Sequence, residues 1–414
     1  MNYSRLVWKN LWLHPLKSIF NLMLVAVAVS LIVLLILINK QFGNHLGKTS
    51  ENINMILCAK GSPLQSVLCN IFHIDAPTGN IKVEDIKPFL RSTHPLIQRS
   101  SPLALGDSYK SSRIVGTTLE YFEWMNLEIE KGRMYAHNFE IVIGSEIATR
   151  EKIKINDTIF SNHGLVDLEN EMKHEHGLIV VGILKKKKTI VDKLIFTPIS
   201  TYWKEHDHKD LDHHEDDTIS TPEVILHNQD LVQSDKEVSS VLIQFRGNNI
   251  QTLNFGRSIN ESSKLMAVNP AIEISRLYEL TNSASDLLYW IAIILGFLSS
   301  IAIFINLVLA LEERKLELAI LRIGGASPRF LFFLLISEGL ILSALGSMIG
   351  ILLAHGFLQI AAMLFDLGDK YGIYGNYFCI EEFYIFIISL ICGIIAAIIP
   401  AYRAYRQDIA KTIA

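Results

Sequence analysis

The stretch SIFNLMLVAVAVSLIVLLILI, Ser18 to Ile38, decides the fold. Its 21 residues carry no charge, and as a helix they reach about 32 Å, enough to cross a bilayer's hydrocarbon core. Roughly 250 mostly polar residues follow. Three more apolar runs, Leu287 to Leu311, Phe330 to Phe365 and Phe383 to Ala401, then crowd the C-terminal third. The layout is that of an α-helical membrane protein with four transmembrane helices and a large α/β extracytoplasmic domain inserted between the first and second. It excludes most soluble enzymes.

The 414 residues are half hydrophobic, an average over two solvents: a lipid-soluble tail and a middle of ordinary globular composition. A net charge of −4 gives no case for nucleic-acid binding. Charge placement is more informative. Arg5, Lys9 and Lys17 precede the first run, Arg314, Lys315, Arg322 and Arg329 lie between the second and third, and Arg403, Arg406 and Lys411 follow the fourth. The 366–382 loop is acidic, with Asp366, Asp369, Glu381 and Glu382 against Lys370. Short basic loops stay cytoplasmic, which places both termini inside and 39–286 outside.

The expected segments follow. Residues 1–17 form a cytoplasmic interfacial helix, with Trp8 and Trp12 at headgroup level. Transmembrane helices occupy 18–38, 287–311, 330–365 and 383–401, joined by a cytoplasmic loop at 312–329 and a short external loop at 366–382. A cytoplasmic tail takes 402–414. No small-x-small cleavage site follows Ile38, so the first run reads as a retained anchor. The third run, at roughly 54 Å of helix, must tilt, break or project beyond the membrane.

Within that run Gly346 and Gly350 make a G-x-x-x-G, suited equally to packing inside the chain and to a dimer contact. Glu338 lies ~12 Å inside the run. It reads either as a functional intramembrane carboxylate or as one that reaches the interface or pairs with the adjoining basic loop. In the external domain Ile141–Ile143, Leu178–Ile183, Leu194–Phe196 and Val241–Phe245 read as strands and Val83–Leu90 as a helix. Ile274, Leu277, Leu280, Ala284 and Leu287 recur at helical spacing, the pattern of a stalk that continues into the membrane. Cys58 and Cys69 are both external and could pair.

Gly43-Asn44-His45-Leu46-Gly47-Lys48-Thr49 imitates a phosphate loop, but three residues separate its glycine from the Gly-Lys pair where four are needed. No G-x-S-x-G, S-x-x-K or H-E-x-x-H occurs, which leaves a hydrolase only a dispersed site. Eight of the fourteen histidines fall between His163 and His227, densest at 206–217 with His206, His208, His213 and His214. Imidazole with carboxylate suits zinc; the same run also suits a plain solvated loop. The apolar runs hold few ligands (Glu338, His355, Asn21, Asn306), so a metal channel does not follow.

Leu311 to Arg329, with Glu313-Arg314, Glu317, Leu321-Arg322 and Gly324-Gly325-Ala326-Ser327, resembles the signature of FtsX/MacB-type (type VII) ABC transporter permeases, and Glu338 falls where the family carries a glutamate. Pro400-Ala401-Tyr402-Arg403-Ala404-Tyr405-Arg406-Gln407-Asp408 resembles the family's close, with Ile409 in place of its usual proline. Gly116 to Phe122, Lys131-Gly132-Arg133, Val142-Ile143-Gly144, Ile155-Asn156-Asp157 and Val180 to Leu184 are similar to its external domain, while Lys185 to Lys188 departs from a neutral turn.

The resemblance implies a transport subunit, not an enzyme, of the bacterial inner membrane, with 39–286 periplasmic. It binds no cofactor directly; ATP acts through a separate cytoplasmic ABC ATPase subunit. The further partners implied are a second permease protomer, identical or not, and a periplasmic or outer-membrane protein. Residues 312–329 would dock on the ATPase as a coupling helix, with Glu312, Arg314, Glu317, Leu321, Arg322, Gly324, Gly325 and Ala326 carrying the contact. Clients would be exported peptides, lipoproteins, small toxic molecules or a cell-wall enzyme. The competing reading is a membrane-anchored zinc sensor or scavenger using the histidine-rich loop.

Overall fold

The computed structural model describes residues 15–50, 52–91, 93–110, 112–164, 176–187, 189–206, 224–247, 249–313, 318, 320, 322–365, 367–368 and 372–406. The interfacial helix therefore lies outside the described residues except for its last three positions. The described chain divides into two compact units, one from Met1–His45 with Glu279–Ala414 and one from Leu46–Tyr278.

In the membrane unit the uncharged run needs no partner for its backbone, because a helix satisfies every N–H and C=O internally. It forms α1 (Pro15–Thr49), and the phosphate-loop imitation is simply the end of that helix. After the soluble unit, whose own helices are α2 to α8, come α9 (Pro270–Glu313), α10 (Pro328–Phe365) and α11 (Ile380–Tyr405). Four segments of these helices are long and apolar enough to cross a membrane: Pro15–Asn44, Asp286–Glu313, Pro328–Phe365 and Ile380–Tyr405. The long third run stays one unbroken helix, so it tilts or projects and does not break. The stalk residues Ile274 to Leu287 belong to α9, whose 44 residues run without interruption.

Small residues set how these helices pack. Gly393, Ala396, Ala397, Pro400, Ala401 and Ala404 form a buried stripe along α11. Opposite it, a Cβ on Gly339 of α10 would lie 2.9 Å from both Ala397 Cβ and Gly393 O. Close backbones let dispersion act over many atoms, which is what holds helices together where lipid supplies no hydrophobic contrast.

The soluble unit joins β1 (Met55–Ala59), α2 (Pro63–Asn70), β2 (Ile81–Lys82), α3 (Val83–Leu90), β3 (Ile97–Tyr109), β4 (Ser112–Thr117) and α4 (Leu119–Trp124). It continues through β5 (Ile129–Gly132), β6 (Glu140–Ile143), α5 (Ser145–Arg150), β7 (Thr158–Ile159), β8 (Asn162–His163), β9 (Leu178–Leu184), β10 (Ile195–Pro198) and α6 (Ile199–His206). It closes with α7 (Asn228–Leu231), β11 (Glu237–Val238), β12 (Ser240–Phe245), α8 (Ile250–Ser262) and β13 (Leu265–Val268). One mixed sheet runs β13-β1-β12-β3-β4-β10-β6-β9-β5, with β7 on β9 and β8 on β3. Only β4–β10 and β6–β9 are parallel among its pairs. All four strands and the helix read from the sequence are present, as β6, β9, β10, β12 and α3.

Two cores flank the long central β3. Leu57, Val83, Ile86, Val241 and Ile243 centre one, under α3 and α8; Ile141, Ile143, Ile147, Leu178 and Ile195 centre the other. Each such fully buried side chain contributes roughly 1.5–3 kcal/mol. The Lys131-Gly132-Arg133 motif has a backbone cause: Gly132 sits at φ +82, and a Cβ there would lie 2.2 Å from Val181 O. Arg133 then reaches Glu140 with both guanidinium nitrogens. Glu140 also accepts from Ala136 N and His137 N, and Arg133 chiefly holds its carboxyl down at about 2.

A depressed carboxylate stabilises the fold above its unfolded value near 4.5, and that contribution fades as pH falls toward 2. Arg133→Gln should therefore lower the melting temperature of the full-length protein at neutral pH and flatten its loss between pH 4.5 and 2. Tryptophan-fluorescence melts at both pH extremes check this. An unchanged acid limb would contradict the assignment.

Candidate functional site

The resemblance singles out one end of the membrane unit. There the described part of α9 reaches Glu313, which holds Lys17 of α1 at 2.7 Å. Leu318, Ile320, Arg322 and Ile323 are helical. The helix ends because Gly325 takes φ +98, a left-handed value glycine adopts without a Cβ penalty. The Gly324 and Gly325 N–H groups donate to Ile320 O (2.9 Å) and Arg322 O (3.1 Å). Ser327 then opens α10, its Oγ accepting from Phe330 N at 3.2 Å, with Pro328 in the first helical position.

This helix–turn has two faces. Leu318 is buried among the helices of the unit, whereas Ile320 and Ile323 stand 59% and 65% exposed. Glu312, Gly324 and Gly325 are exposed, and Arg322 and Ala326 half-buried. Arg314, Glu317 and Leu321 lie outside the described residues.

Within α10, Glu338 is 3% exposed on the inward face beside Leu334, Leu335 and Leu342, so it does not reach the surface of the unit. Gly346 and Gly350 meet α1 of the same chain. A Cβ would stand 2.7 Å from Val25 Cβ at the first and 2.6 Å from Ala26 O at the second. These contacts are the packing inside the chain that G-x-x-x-G allows. Nearby, an apolar cavity of about 340 Å³ is lined by Ile32 of α1, Phe297 and Ser300 of α9, and Ile388 and Cys392 of α11.

The opposite end holds a cluster that the sequence reading passed over as a short acidic loop. His355 of α10 is 8% exposed; its Nδ1 lies 2.6 Å from Gly375 O and its Nε2 3.1 Å from Glu382 Oε2. Glu382 Oε1 accepts from Cys379 N at 2.8 Å and caps α11. Lys40 of α1 bonds both oxygens of Glu381, at 2.7 and 2.8 Å. Gln41 exchanges two hydrogen bonds with the Tyr374 backbone, and Gln359 accepts from Gly375 N. The signal was present: a histidine inside an apolar run, and paired glutamates where a helix starts.

In the soluble unit His206 ends α6. Its Nδ1 bonds Tyr202 O at 2.7 Å, its ring lies 4.3 Å from that of Tyr202, and its Nε2 is 3.5 Å from the buried Asp107 carboxylate. Asp107 holds this imidazole above the usual histidine range. His208, His213 and His214 lie outside the described residues. Among the described residues no three metal-ligating side chains gather into a site, and nothing else favours zinc. Cys58 and Cys69 are separate buried thiols; Cys58 Sγ is 3.2 Å from Ser66 Oγ, and burial pushes Cys69 up to about 11.

The chain is similar to known proteins over most of its length. The FtsX-like permease C-terminal family matches residues 289–409, and the MacB-like periplasmic core domain matches residues 18–246. The ABC transporter permease YtrF of Bacillus subtilis (strain 168) is 23% identical over 339 residues, 72% of this chain and 74% of that protein. The periplasmic region of MacB from Actinobacillus actinomycetemcomitans is similar over 56% of this chain and 97% of its own, at 12% identity and TM-score 0.31. The extracellular domain of the noncanonic ABC-type transporter YknZ from Gram-positive bacteria covers 52% and 100%, at 13% identity and TM-score 0.30. With the MacB-like model spanning more than half its length and the FtsX-like model most of the remainder, the chain belongs to the FtsX/MacB-type ABC transporter permeases, multi-pass membrane subunits whose family implies a cytoplasmic ATPase partner.

Proposed function

We propose that this chain transmits the ATP-driven motion of a separate cytoplasmic ATPase to the domain between α1 and α9, and that it carries out no catalysis itself. Both termini and residues 312–329 are cytoplasmic and 39–286 periplasmic, across the inner membrane of a bacterium, an orientation that the basic loops support. Two permease protomers and two ATPase chains form the working unit. The driven domain exports or handles a peptide, lipoprotein or small toxic molecule, or signals mechanically to an envelope enzyme.

The exposed Ile320 and Ile323 carry this reading. They stand in helical backbone that ends at the Gly325 turn, in a segment of charged sequence, an apolar centre with a polar rim. Two isoleucines buried on docking contribute roughly 1.5–3 kcal/mol each. α9 ends at this segment and begins at Pro270, so one continuous helix is available to carry displacement along the chain.

The test is co-purification with a cytoplasmic ABC ATPase from the same organism, co-expressed with the chain. Ile320→Asp with Ile323→Asp, and separately Glu317→Lys, should reduce the recovered ATPase at least tenfold, with membrane insertion and melting temperature unchanged. Full recovery with the double variant would remove the coupling role from 312–329.

A further inference from the structure

We infer that a pocket in the soluble unit binds a short apolar peptide with free amino and carboxylate termini. The pocket, of about 410 Å³, is bounded by the end of α3, the start of β3, α4 and α7. That size suits a small ligand. Its frame is fixed by Asn228 of α7, whose Nδ2 donates to Ser100 O at 2.9 Å and whose Oδ1 accepts from Thr118 Oγ1 at 2.8 Å. Asn228 is buried, so water competes little for these bonds, and they tie α7 to β3 and to the start of α4.

Two polar groups of that frame are left over. Asn228 N donates to Glu120 Oε1 at 3.1 Å, and His227 Nδ1 lies 3.3 Å from the same oxygen. Glu120 Oε2 is buried and has no hydrogen-bond partner. Trp124, 7% exposed, likewise has none for its Nε1. Four residues apart, the two side chains share a face of α4, and both line the pocket. Indole nitrogen only donates and a carboxylate only accepts. The complementary ligand offers a carbonyl oxygen and an N–H or ammonium close together, as a peptide does. A buried polar group without a partner is costly, and a ligand that satisfies both groups recovers that cost on binding.

The rest of the lining selects the kind of peptide. Leu90, Ile97 and Val232 offer aliphatic surface to its side chains. Charges of opposite sign come from different elements: Arg91 follows α3 and Arg99 lies on β3, whereas Glu120 and Glu123 lie on α4. Among the described residues neither arginine has an ion-pair partner. An ammonium toward α4 and a carboxylate toward the arginines give a zwitterionic peptide one orientation, with charge-assisted hydrogen bonds at both ends. A phosphate would satisfy the arginines but set Glu120 and Glu123 against an anion. This inference deepens the proposed function, on which it rests for the statement that the domain handles its ligand as cargo or signal; the binding itself needs no ATPase.

Calorimetric titration of trileucine into the full-length protein in nanodiscs, with empty nanodiscs as the blank, tests the site. Trileucine should bind once per chain. N-acetyl-trileucine, without the ammonium, and trileucine amide, without the carboxylate, should each bind at least tenfold more weakly. Trp124→Phe keeps the ring and removes the N–H, and should weaken trileucine at least fivefold. Arg99→Gln, at an exposed position that leaves the core untouched, should do the same. Arg257→Gln, on α8 outside the pocket, should bind as the wild type does. Absence of saturable heat with trileucine, equal binding by a blocked peptide, unchanged affinity in either pocket variant, or equal weakening in Arg257→Gln would each overturn the site. Because no ATPase is present, failure of the coupling reading would leave all of these results as they stand.

Discussion

Gly350→Leu should prevent the membrane unit from folding stably, while Gly356→Leu on the same helix should leave it intact. At Gly350 the first added carbon already lies 2.6 Å from the backbone oxygen of Ala26 and 2.9 Å from Val29 Cβ. Backbone cannot rotate away as a flexible side chain can, so α1 must separate from α10. Val25, Val29, Val33 and Leu37 of α1 all belong to the buried core of this unit, and separation uncovers them together. Overpacking in a well-filled interior costs about 1–3 kcal/mol, and four carbons driven against a carbonyl should exceed that range. A Cβ on Gly356, by contrast, meets nothing within 4 Å. The pair separates packing against α1 from the general effect of a larger residue in an apolar helix. Thermal melts of the detergent-solubilised protein, followed by size exclusion, supply the comparison. Equal melting temperatures for the two variants would sink the claim that G-x-x-x-G serves contact within the chain.

That claim was open from sequence, and the reason is physical. Gly346 and Gly350 announce a close approach but carry no information about which helix approaches. Hydropathy fixes which segments enter lipid, so the four membrane helices and the inserted domain were legible. β3 was not. Its Ser100-Ser101-Pro102 stretch reads as a turn, since proline lacks the N–H a ladder uses. The strand survives because Ser101 Oγ meets Thr117 Oγ1 at 3.1 Å and Pro102 O accepts from Thr117 Oγ1 at 2.8 Å. Side chains thus replace part of the backbone pairing. The cluster at His355 was illegible for another reason: its members, from Lys40 to Glu382, are brought together only by the packing of three helices. Ile320 and Ile323, in contrast, lie inside the 312–329 segment that the sequence already singles out as a coupling helix.

The soluble unit should lose stability as pH falls from 6.5 toward 3, and His73 should account for much of the loss. Its ring is buried at 7% exposure, and burial, with Arg113 nearby, pushes it down to about 3. The unfolded chain binds a proton near 6.5 and the native state only near 3, so unfolding takes up a proton throughout that window. The contribution is complete above 6.5 and falls away below it, reaching roughly 3 kcal/mol lost by pH 4. Glu140 adds to the loss only below about 4.5, whereas His94, lowered by partial burial and by Arg246, adds to it in the same direction as His73. His206 works in the opposite sense: Asp107 raises it, and its contribution is present at low pH and fades as pH rises. The backbone at His73 has φ +52, a value asparagine tolerates better than most residues, so His73→Asn removes the titration with little strain. Urea unfolding of the full-length protein at pH 7.0 and 5.0, read from tryptophan fluorescence, should show a falling midpoint in the wild type and a clearly shallower fall in His73→Asn. Parallel declines in the two proteins would show that the acid sensitivity comes from elsewhere.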